Sequence, residues 1–316
     1  MLVNAWEMIY MKKCIIIMNP ESGKKRKIKS YEKFYDILRK HGYETEIILT
    51  KGPGDAKGIV QSIPDNIDLV ISGGGDGTLN EVVSGNMLRN KKLTIAPLPL
   101  GSANDVGTMY GLEGNVYENL DLLLEGKAKK VDIIYINDQP FVYVACLGDY
   151  IDLAYATPRE LKKRYGKIAY IIYGLKQLRK GIHQYDIKYK IDGKTHRGTY
   201  SFIFITNSSR VAGQPDIYYD VKLDDNMFEV AMAKVKTKKD MIKMMALINT
   251  IDVKDIPNVT YYQTDNLEIE FLTPPKTSWC MDGEELKTTG LKYTFKVVKD
   301  MKMLVPEENI HKLFGN

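Results

Sequence analysis

The sequence predicts two structural units, an N-terminal α/β layer followed by an antiparallel β domain. From residue 13 to residue 125, short apolar runs alternate with amphipathic helical patterns, as in a mainly parallel sheet covered by helices. From residue 131 the chain changes to successive strands of alternating apolar and polar residues, which favours a β-sandwich or barrel. The length of 316 residues also suits two domains better than one.

Composition indicates an ordinary globular protein, with 44% hydrophobic and 27% charged residues. No stretch approaches the roughly eighteen apolar residues that a membrane span requires. The first ten residues lack the basic start and apolar core of a secretion signal. The three cysteines are far apart, which indicates reduced thiols, and the four histidines show no metal-ligand spacing. We therefore expect a soluble, cytoplasmic protein.

Positive charge is concentrated in two segments, although the net charge is only +5. Residues 24–29 form one basic cluster. Residues 159–180 contain eight basic side chains against the single acid Glu160. Such clusters favour anionic partners, namely nucleotide phosphates, an anionic lipid surface or nucleic acid. Nucleic acid is the weakest of these, because no aromatic-plus-basic strand of the RNA-binding kind occurs.

Strand and helix patterns give the order of elements in the first unit. Strands are predicted over residues 13–17, 46–50, 67–71 and 93–96, and helices from Ser30 to Gly42, over 56–62, from an N-cap at Thr78, and over 117–125. Loops 19–23, 73–78 and 100–105 follow three of these strands. In parallel sheets, ligands bind beyond the carboxyl ends of the strands, so these loops form the predicted site.

The second unit is predicted mainly from alternating strands. These cover residues 131–137, 140–147, 184–192, 198–206, 227–235, 267–272 and 291–298. Helices are predicted from Thr157, Thr237 and residue 307. We place the α/β domain at residues 12–130, with 301–316 returning to it, and the β domain at 131–300. Residues 1–11 are expected to be a poorly ordered leader.

One glycine-rich turn carries most of the functional information. It is the run Ser72-Gly73-Gly74-Gly75-Asp76-Gly77-Thr78-Leu79-Asn80-Glu81, between a β-branched strand and a helix. Glycines let the backbone N–H groups approach a ligand, and a helix N-terminus attracts phosphate. A carboxylate such as Asp76 beside a phosphate requires a bridging cation. The run is neither a P-loop nor a dinucleotide turn, so the residues alone indicate a phosphate ligand with Mg²⁺.

The run Gly74–Thr78 resembles the nucleotide motif shared by diacylglycerol kinases, sphingosine kinases, NAD kinases and 6-phosphofructokinases. Asn80-Glu81 directly after it, the segment 99–105 with Ser102 for the usual threonine, and the loop 19–23 are similar to the lipid-kinase form. The resemblance extends through Thr157-Pro158 and the turn 222–225 to Asp282-Gly283-Glu284, and covers residues 13–300. The chain thus resembles a bacterial soluble diacylglycerol kinase. This implies a Rossmann-like three-layer α/β domain, an antiparallel β-sandwich domain and an active site in the cleft between them.

The resemblance also implies a role for particular residues. ATP would be bound by Asn19, Pro20, Glu21, Ser22, Gly23, Thr50, Gly74, Gly75, Asp76, Gly77, Thr78, Leu79, Asn80 and Ser102. Asp76 would act through Mg²⁺ on the β- and γ-phosphates. Asp282-Gly283 also reads as a hairpin turn on its own. With the resemblance, we expect Glu284 to be the general base and Asp282 to orient it or complete the Mg²⁺ network, with exchanged roles as the alternative.

A second cation and a membrane surface are further expectations from the resemblance. A structural Mg²⁺ would be held by Asp225 and the carbonyls of Lys222 and Met227, or the turn is simply solvated. The basic helix 158–180 would bind anionic phospholipid, or else pack as an ordinary amphipathic helix. The protein would then be cytoplasmic with peripheral membrane association. We leave open whether two chains assemble as a homodimer.

The expected function is ATP- and Mg²⁺-dependent phosphorylation of diacylglycerol to phosphatidic acid. Two alternatives stay open. One is a related kinase that acts on a sphingosine-like lipid, monoacylglycerol or NAD. The other is a catalytically silent protein that binds nucleotide or lipid, although the intact Asp76, Asp282 and Glu284 argue against it.

Overall fold

The structure, a computed structural model, describes residues 11–23, 30–149, 181–211, 217–248, 250–286 and 290–315. The first half of the chain alternates strands and helices. Its elements are β1 (Lys12–Met18), α1 (Glu32–Lys40), β2 (Tyr43–Leu49), α2 (Asp55–Ser62), β3 (Leu69–Gly74), α3 (Asp76–Met87), β4 (Thr94–Pro99), α4 (Asp105–Met109) and α5 (Val116–Leu124). The four strands are parallel in the order β2-β1-β3-β4. Strands β1 and β3 lie inside the sheet, which explains their nearly continuous apolar sequence.

The second half is mainly antiparallel. Its elements are β5 (Lys127–Ile136), β6 (Gln139–Phe141), β7 (Val144–Gly148), β8 (Tyr185–Ile191), β9 (Lys194–Tyr200), β10 (Phe202–Thr206), β11 (Phe228–Ala233), α6 (Lys238–Leu247), β12 (Val259–Thr264), β13 (Asn266–Phe271), β14 (Trp279–Met281), β15 (Glu284–Leu286), β16 (Lys292–Val305) and α7 (Glu307–Leu313). One six-stranded sheet runs β12-β11-β10-β7-β14-β15. The other strands extend the first sheet, so the described residues form a mixed α/β part and an antiparallel sandwich.

Strand β16 joins the two parts. It pairs antiparallel with β13 and β5, and its last residues pair parallel with β4 through Lys302 and Met303. A register shift between Val298 and Met301 separates these two roles. A bulge of this kind bends a strand and lets it leave one partner for another. The first sheet is therefore continuous between the α/β part and the sandwich.

The sandwich core lies between the antiparallel strands of the two sheets. Buried aromatic residues dominate it, and Trp279 stacks at an angle on both Tyr293 and Phe295, with ring centroids 5.5 and 5.3 Å away. A second buried cluster fills the α/β part around Ile16, Ile71 and Val82. The aromatic packing orients β14, which carries the hairpin that reaches the candidate site.

Several predicted boundaries differ from the structure for physical reasons. The pattern over 198–206 is broken at Ser201, whose hydroxyl donates to Val235 O, so two strands replace one. The pattern over 140–147 is likewise interrupted between Phe141 and Val144, where the chain turns to bind a side chain described below. Strand β12 was missed by the sequence analysis. The helix predicted from Thr237 is confirmed, with a complete capping box.

Candidate active site

Two loops are fastened to the end of strand β3. Asn19 N donates to Gly73 O at 2.8 Å, and Leu100 N donates to Gly74 O at 2.7 Å. These bonds continue the parallel ladders past the ends of β1 and β4. The three loops predicted from strand order therefore do lie side by side at the carboxyl edge of the sheet.

Close backbone packing explains two of the glycines in these loops. A Cβ built on Gly101 would lie 2.6 Å from Gly75 Cα, so Gly101 must lack a side chain for the loops to meet, and a Cβ on Gly75 would make a tight contact of 3.3 Å with Gly101 Cα. Gly23 has φ +75°, and a Cβ there would lie 2.3 Å from Leu100 O. These contacts bring main-chain groups of the three loops to one surface, which is the geometry that suits a phosphate chain.

Helix α3 begins earlier than predicted. It starts at Asp76 with Gly75 as N-cap, so the expectation that Thr78 caps it is wrong. Thr78 is buried in the first turn instead, and its Oγ1 accepts a hydrogen bond from Asn19 Nδ2 at 3.2 Å. A Cβ on Gly74 would lie 2.4 Å from Thr78 Oγ1. Thr78 thus ties the first loop to α3 from inside the turn.

Asp76 lies where two helix N-termini meet. Its Oδ2 accepts from Asp105 N at 3.1 Å and its Oδ1 from Val106 N at 3.3 Å, so it caps α4 while it belongs to α3. Burial, and then the negative charge of Asp105, raise the pKa of Asp76 to about 6 despite these two hydrogen bonds. A site of this kind gains free energy from a nearby cation.

Asp105 is a site residue that the sequence analysis quoted in a motif but did not assign. It is 1% exposed and forms an ion pair with Arg210, whose Nε lies 3.2 Å from Asp105 Oδ1. Arg210 follows β10, so it comes from the sandwich. The available signal for Asp105 was its place at the end of the Gly101–Asp105 turn, beyond the carboxyl end of a predicted strand. No local signal pointed to Arg210.

The hairpin β14–β15 reaches the same place from the sandwich. Asp282 and Gly283 form its two-residue turn with φ of 48° and 87°, as predicted for Asp-Gly. Glu284 is exposed, and a Cβ built on Gly77 would lie 3.3 Å from Glu284 Oε1. The carboxylate of Glu284 therefore rests over the first turn of α3, at the residue that follows Asp76 in the chain.

Asp282 has the opposite environment and is 2% exposed. Its Oδ1 accepts from the amides of Tyr143 and Val144 at 3.0 and 3.1 Å, and its Oδ2 accepts from Val142 N at 2.7 Å and Asn80 Nδ2 at 2.8 Å. Burial raises the pKa of Asp282, and these four hydrogen bonds oppose the rise. Both oxygens are occupied by protein donors, so Asp282 has the geometry of a clamp.

Asn80 and Glu81 make structural contacts. Asn80 Nδ2 donates to Asp282 Oδ2 and, at 3.4 Å, to Pro140 O, so this amide links α3 to the sandwich. The Glu81 carboxylate accepts from Gly54 N at 2.8 Å and Ala56 N at 3.2 Å, which caps helix α2. The Asn-Glu pair after the glycine turn therefore fixes the neighbours of the site. Nucleotide binding by Asn80 stays a prediction.

The other residues predicted to bind nucleotide surround these loops. Asn19 and Glu21 form a turn in which Glu21 N donates to Asn19 Oδ1 at 2.9 Å. Thr50 is 8% exposed and its amide donates to Met18 O. The Leu79 amide donates to Gly75 O at the start of α3. Exposure is greater for the remaining positions, Pro20, Ser22 and Ser102. All of them lie at the same edge of the sheet.

The residues of this edge fit a magnesium ion held partly by phosphates. Among the described residues, no group of three or more His, Cys, Asp or Glu is arranged to hold a metal ion. Mg²⁺ differs from metals with all-protein sites, since it commonly uses one or two carboxylates together with substrate phosphates. Asp76 and Asp105 supply two adjacent carboxylates, and the pKa of Asp76 is raised by burial first and by the negative charge of Asp105 second.

A second group of acids surrounds the turn 222–227. Asp225 Oδ1 accepts from Met227 N at 3.0 Å and Oδ2 from Gln263 Nε2 at 3.0 Å. Asp132, which the sequence analysis missed, is fully buried beside this turn. Its Oδ2 accepts from Asn226 N at 2.6 Å, while its Oδ1 has no hydrogen-bond partner among the described residues. Burial raises the pKa of Asp132 to about 6, and this orphaned oxygen fits a cation. A charged residue inside the apolar run of β5 was the available signal.

The predicted membrane helix 158–180 and the motif around Thr157 lie outside the described residues, as do residues 24–29 and most of the leader. Within the described part of the chain, no helix has the length and apolar character needed to cross a bilayer.

Comparisons with known proteins agree with the geometry. Residues 13–136 match the model of the diacylglycerol kinase catalytic domain, and residues 153–303 match that of the YegS C-terminal NAD kinase beta sandwich-like domain. A curated diacylglycerol kinase of Staphylococcus aureus (strain bovine RF122 / ET3-1) is 31% identical over 274 residues, 86% of each chain. The protein from strain MRSA252 is 30% identical over the same length.

Solved structures show the same fold. A diacylglycerol kinase crystal structure from Bacillus anthracis str. Sterne superposes with a TM-score of 0.75 at 23% identity and covers 93% of this chain and 97% of its own. A putative diacylglycerol kinase from the same strain gives a TM-score of 0.77 at 24% identity with the same coverage. Fold and site together define a two-domain lipid kinase. The chain belongs to the diacylglycerol kinase family.

Proposed function

We propose that the protein transfers the γ-phosphoryl group of ATP to the hydroxyl of diacylglycerol and forms phosphatidic acid, with Mg²⁺ as the required cation. The observation that carries the proposal is the position of Glu284 over the first turn of α3. One side of the cleft thereby offers glycine loops and two acids that suit a phosphate chain with a cation. The other side offers an exposed carboxylate that suits a hydroxyl.

On the α/β side, the chain binds and orients the donor. The loop amides near Gly75 and the N-terminus of α3 bind phosphate oxygens, because these amides carry partial positive charge. Asp76 and Asp105 would hold Mg²⁺, which offsets the negative charge of the phosphoryl oxygens. Gly77 leaves room for Glu284, because any side chain there would press against that carboxylate.

On the sandwich side, Glu284 acts as the general base. It accepts the proton of the lipid hydroxyl on a carboxylate oxygen while the hydroxyl oxygen attacks the γ-phosphorus and ADP leaves. The assignment is favoured by the exposure of Glu284, which leaves its carboxylate accessible to a substrate hydroxyl. Asp282 is a poor alternative because four protein donors already occupy its oxygens.

The lipid acceptor is inferred from relatives. The curated proteins that cover 86% of this chain are named diacylglycerol kinases, which supports diacylglycerol as the acceptor. A sphingosine-like lipid, monoacylglycerol and NAD are the competing acceptors. A silent binding protein is the remaining alternative.

A thin-layer assay with γ-labelled ATP separates these alternatives. The purified protein is incubated with mixed micelles of diacylglycerol, monoacylglycerol or sphingosine, or with NAD, each with Mg²⁺ and with excess EDTA. We expect label in phosphatidic acid only with diacylglycerol and Mg²⁺. Label in another acceptor would show that this molecule, and not diacylglycerol, is the substrate. No label in any acceptor would favour a catalytically silent protein.

The second cation and the membrane surface belong to this proposal as well. The acids around Asp225 and Asp132 would hold a structural cation together with the carbonyls of Lys222 and Met227. The basic segment 158–180 would bring the enzyme to anionic phospholipid. Charge reversal of Lys162 and Lys163 should weaken sedimentation with anionic vesicles, and unchanged sedimentation would contradict that role.

A further inference from the structure

Arg210 connects the sandwich to the acidic side of the cleft. It follows β10 in a turn that is held by Ser208, whose Oγ donates to Arg210 O at 2.6 Å and accepts from Arg210 N at 3.0 Å. From this fixed backbone the side chain reaches Asp105 on α4, with Nε 3.2 Å from Oδ1. The Arg210 side chain is 17% exposed and that of Asp105 is 1% exposed.

The ion pair acts on a residue that holds Asp76. Asp105 is the first residue of α4, and its own amide donates to Asp76 Oδ2. Any shift of Asp105 therefore shifts one of the two amides that orient Asp76. Two adjacent acids also repel each other, and the guanidinium of Arg210 offsets that repulsion.

We propose that Arg210 is a positioning residue of the phosphoryl-transfer site, which holds Asp105 and thereby fixes the first turn of α4 against Asp76. The inference rests on the proposed function, because it concerns the geometry of that same site. It means that the sandwich supplies two elements of the site, the carboxylate of Glu284 and the guanidinium of Arg210, which orients the acids Asp76 and Asp105 on the α/β side. Without the sandwich, the α/β part would then not hold Asp105 and the first turn of α4 in a fixed position.

The obvious alternative is an ion pair that only stabilises the fold. Removing one member of a buried pair is strongly destabilising in general, so loss of activity in one variant would not separate the two roles. The site role predicts a local effect at α4 and an effect that disappears when Asp105 is already changed. A purely structural role predicts lower stability spread over the protein.

The first experiment is a double-mutant cycle with Arg210→Met, Asp105→Asn and both together. Lipid kinase turnover and the KM for ATP are measured for each. We expect Arg210→Met to lower kcat about 100-fold, as small misplacements in active sites do, and to cause little further loss in the Asp105→Asn background. Arg210→Lys should recover part of the turnover, because it keeps the charge but loses the planar fork. Arg197→Met, an exposed arginine on β9, is the matched control and should behave as wild type.

The second experiment does not depend on activity. Hydrogen exchange of the peptide 102–110 is followed without Mg²⁺ or nucleotide in wild type, Arg210→Met, Arg210→Lys and Arg197→Met. We expect faster exchange of the Asp105 and Val106 amides in Arg210→Met, with unchanged exchange in the strands of the sandwich. Arg210→Lys should raise the exchange rate of these amides less than Arg210→Met, and it is the variant to measure if Arg210→Met does not fold.

The outcomes separate this inference from the proposed function. Wild-type protein without lipid kinase activity would overturn the function, whereas the exchange result would still test the contact. Active wild type, with turnover of Arg210→Met within threefold of it, would overturn the inference alone. So would losses that add fully in the double variant, or exchange that rises equally throughout the protein.

Discussion

Asp76 and Asp282 come from opposite sides of the cleft, and both carboxylates accept hydrogen bonds from backbone amides, although Asp76 is half-buried and Asp282 is buried. Asp76 has two such bonds, of 3.1 and 3.3 Å, and a second acid beside it. Asp282 has three amide donors and one side-chain donor, with distances of 2.7 to 3.1 Å. The negative charge of Asp76 is therefore only partly offset by hydrogen bonds, whereas both oxygens of Asp282 already accept two hydrogen bonds each.

The difference shows how burial assigns roles to similar residues. A carboxylate with unmet negative charge can bind a cation, whereas a saturated one stabilises the chain that surrounds it. Asp282 therefore holds the 142–144 segment and helix α3 in place. Glu284, two residues further along the same hairpin, is exposed. The hairpin thus carries one structural acid and one candidate catalytic acid.

The largest expected effect comes from Glu284→Gln. Removing the base should lower kcat about 1000-fold, since general-base catalysis contributes factors of this order. The free energy of unfolding and ATP affinity should stay close to wild type, because the side chain is exposed. Turnover is measured by the thin-layer assay, and nucleotide affinity by calorimetry. Glu285→Gln is the matched control, because this neighbour bonds to Ser278 Oγ instead. A Glu284→Gln enzyme that retains turnover would remove this residue from the mechanism.

Asp282→Asn should act first on stability. Two of the four donors would then face an amide NH₂ group, and buried donors without an acceptor cost on the order of 2–4 kcal/mol in total. Urea denaturation measures this difference in the free energy of unfolding. Asp138→Asn, an exposed acid in the turn before β6, should leave it unchanged. Equal stabilities of the Asp282 and Asp138 variants would show that the clamp is not important for the fold.

Asp76→Asn should reduce the dependence of stability on pH. Because the pKa of Asp76 is raised to about 6 in the folded protein, the folded state binds more protons than the unfolded state between about pH 4 and 6. The contribution of this group to stability therefore falls as pH rises through that window. Without divalent cations, the loss of stability across this window should be smaller in the variant than in the wild type, by up to about 2 kcal/mol. Denaturation at pH 4.5 and pH 7 in EDTA measures this. If the free energy of unfolding of the variant changes with pH as it does in the wild type, the negative charge of Asp76 is already offset by its surroundings.

Asn80→Ala should have the smallest effect. It removes one of the four donors to Asp282, and a hydrogen bond to a charged group contributes about 1.5–3 kcal/mol, less what a water can replace. We expect a loss of about 1 kcal/mol in the free energy of unfolding, with ATP affinity within threefold of wild type. A much larger loss of affinity, at unchanged stability, would instead support direct nucleotide binding by Asn80.

Local patterns predicted much of this structure. The strand, glycine turn and helix around Asp76 follow from residues next to one another, and so does the Asp282-Gly283 hairpin. The N-cap at Thr78 was wrong because packing against Gly74 and Asn19 draws this residue into the helix. Local propensity does not include such contacts. The convergence of three loops was predictable, since parallel strands end at one edge.

By itself, the sequence predicted the order of strands, glycine turn and helix around Asp76 and the Asp282-Gly283 hairpin, and its resemblance to lipid kinases predicted roles for Asp76 and Glu284. Only the tertiary structure decided that Asp282 is a clamp, because its amide donors lie 138 to 140 residues away in the chain. The same holds for Arg210 and Asp105, which are 105 residues apart. Burial and saturation are properties of the packed surroundings, and no local pattern specifies which distant groups will fill them.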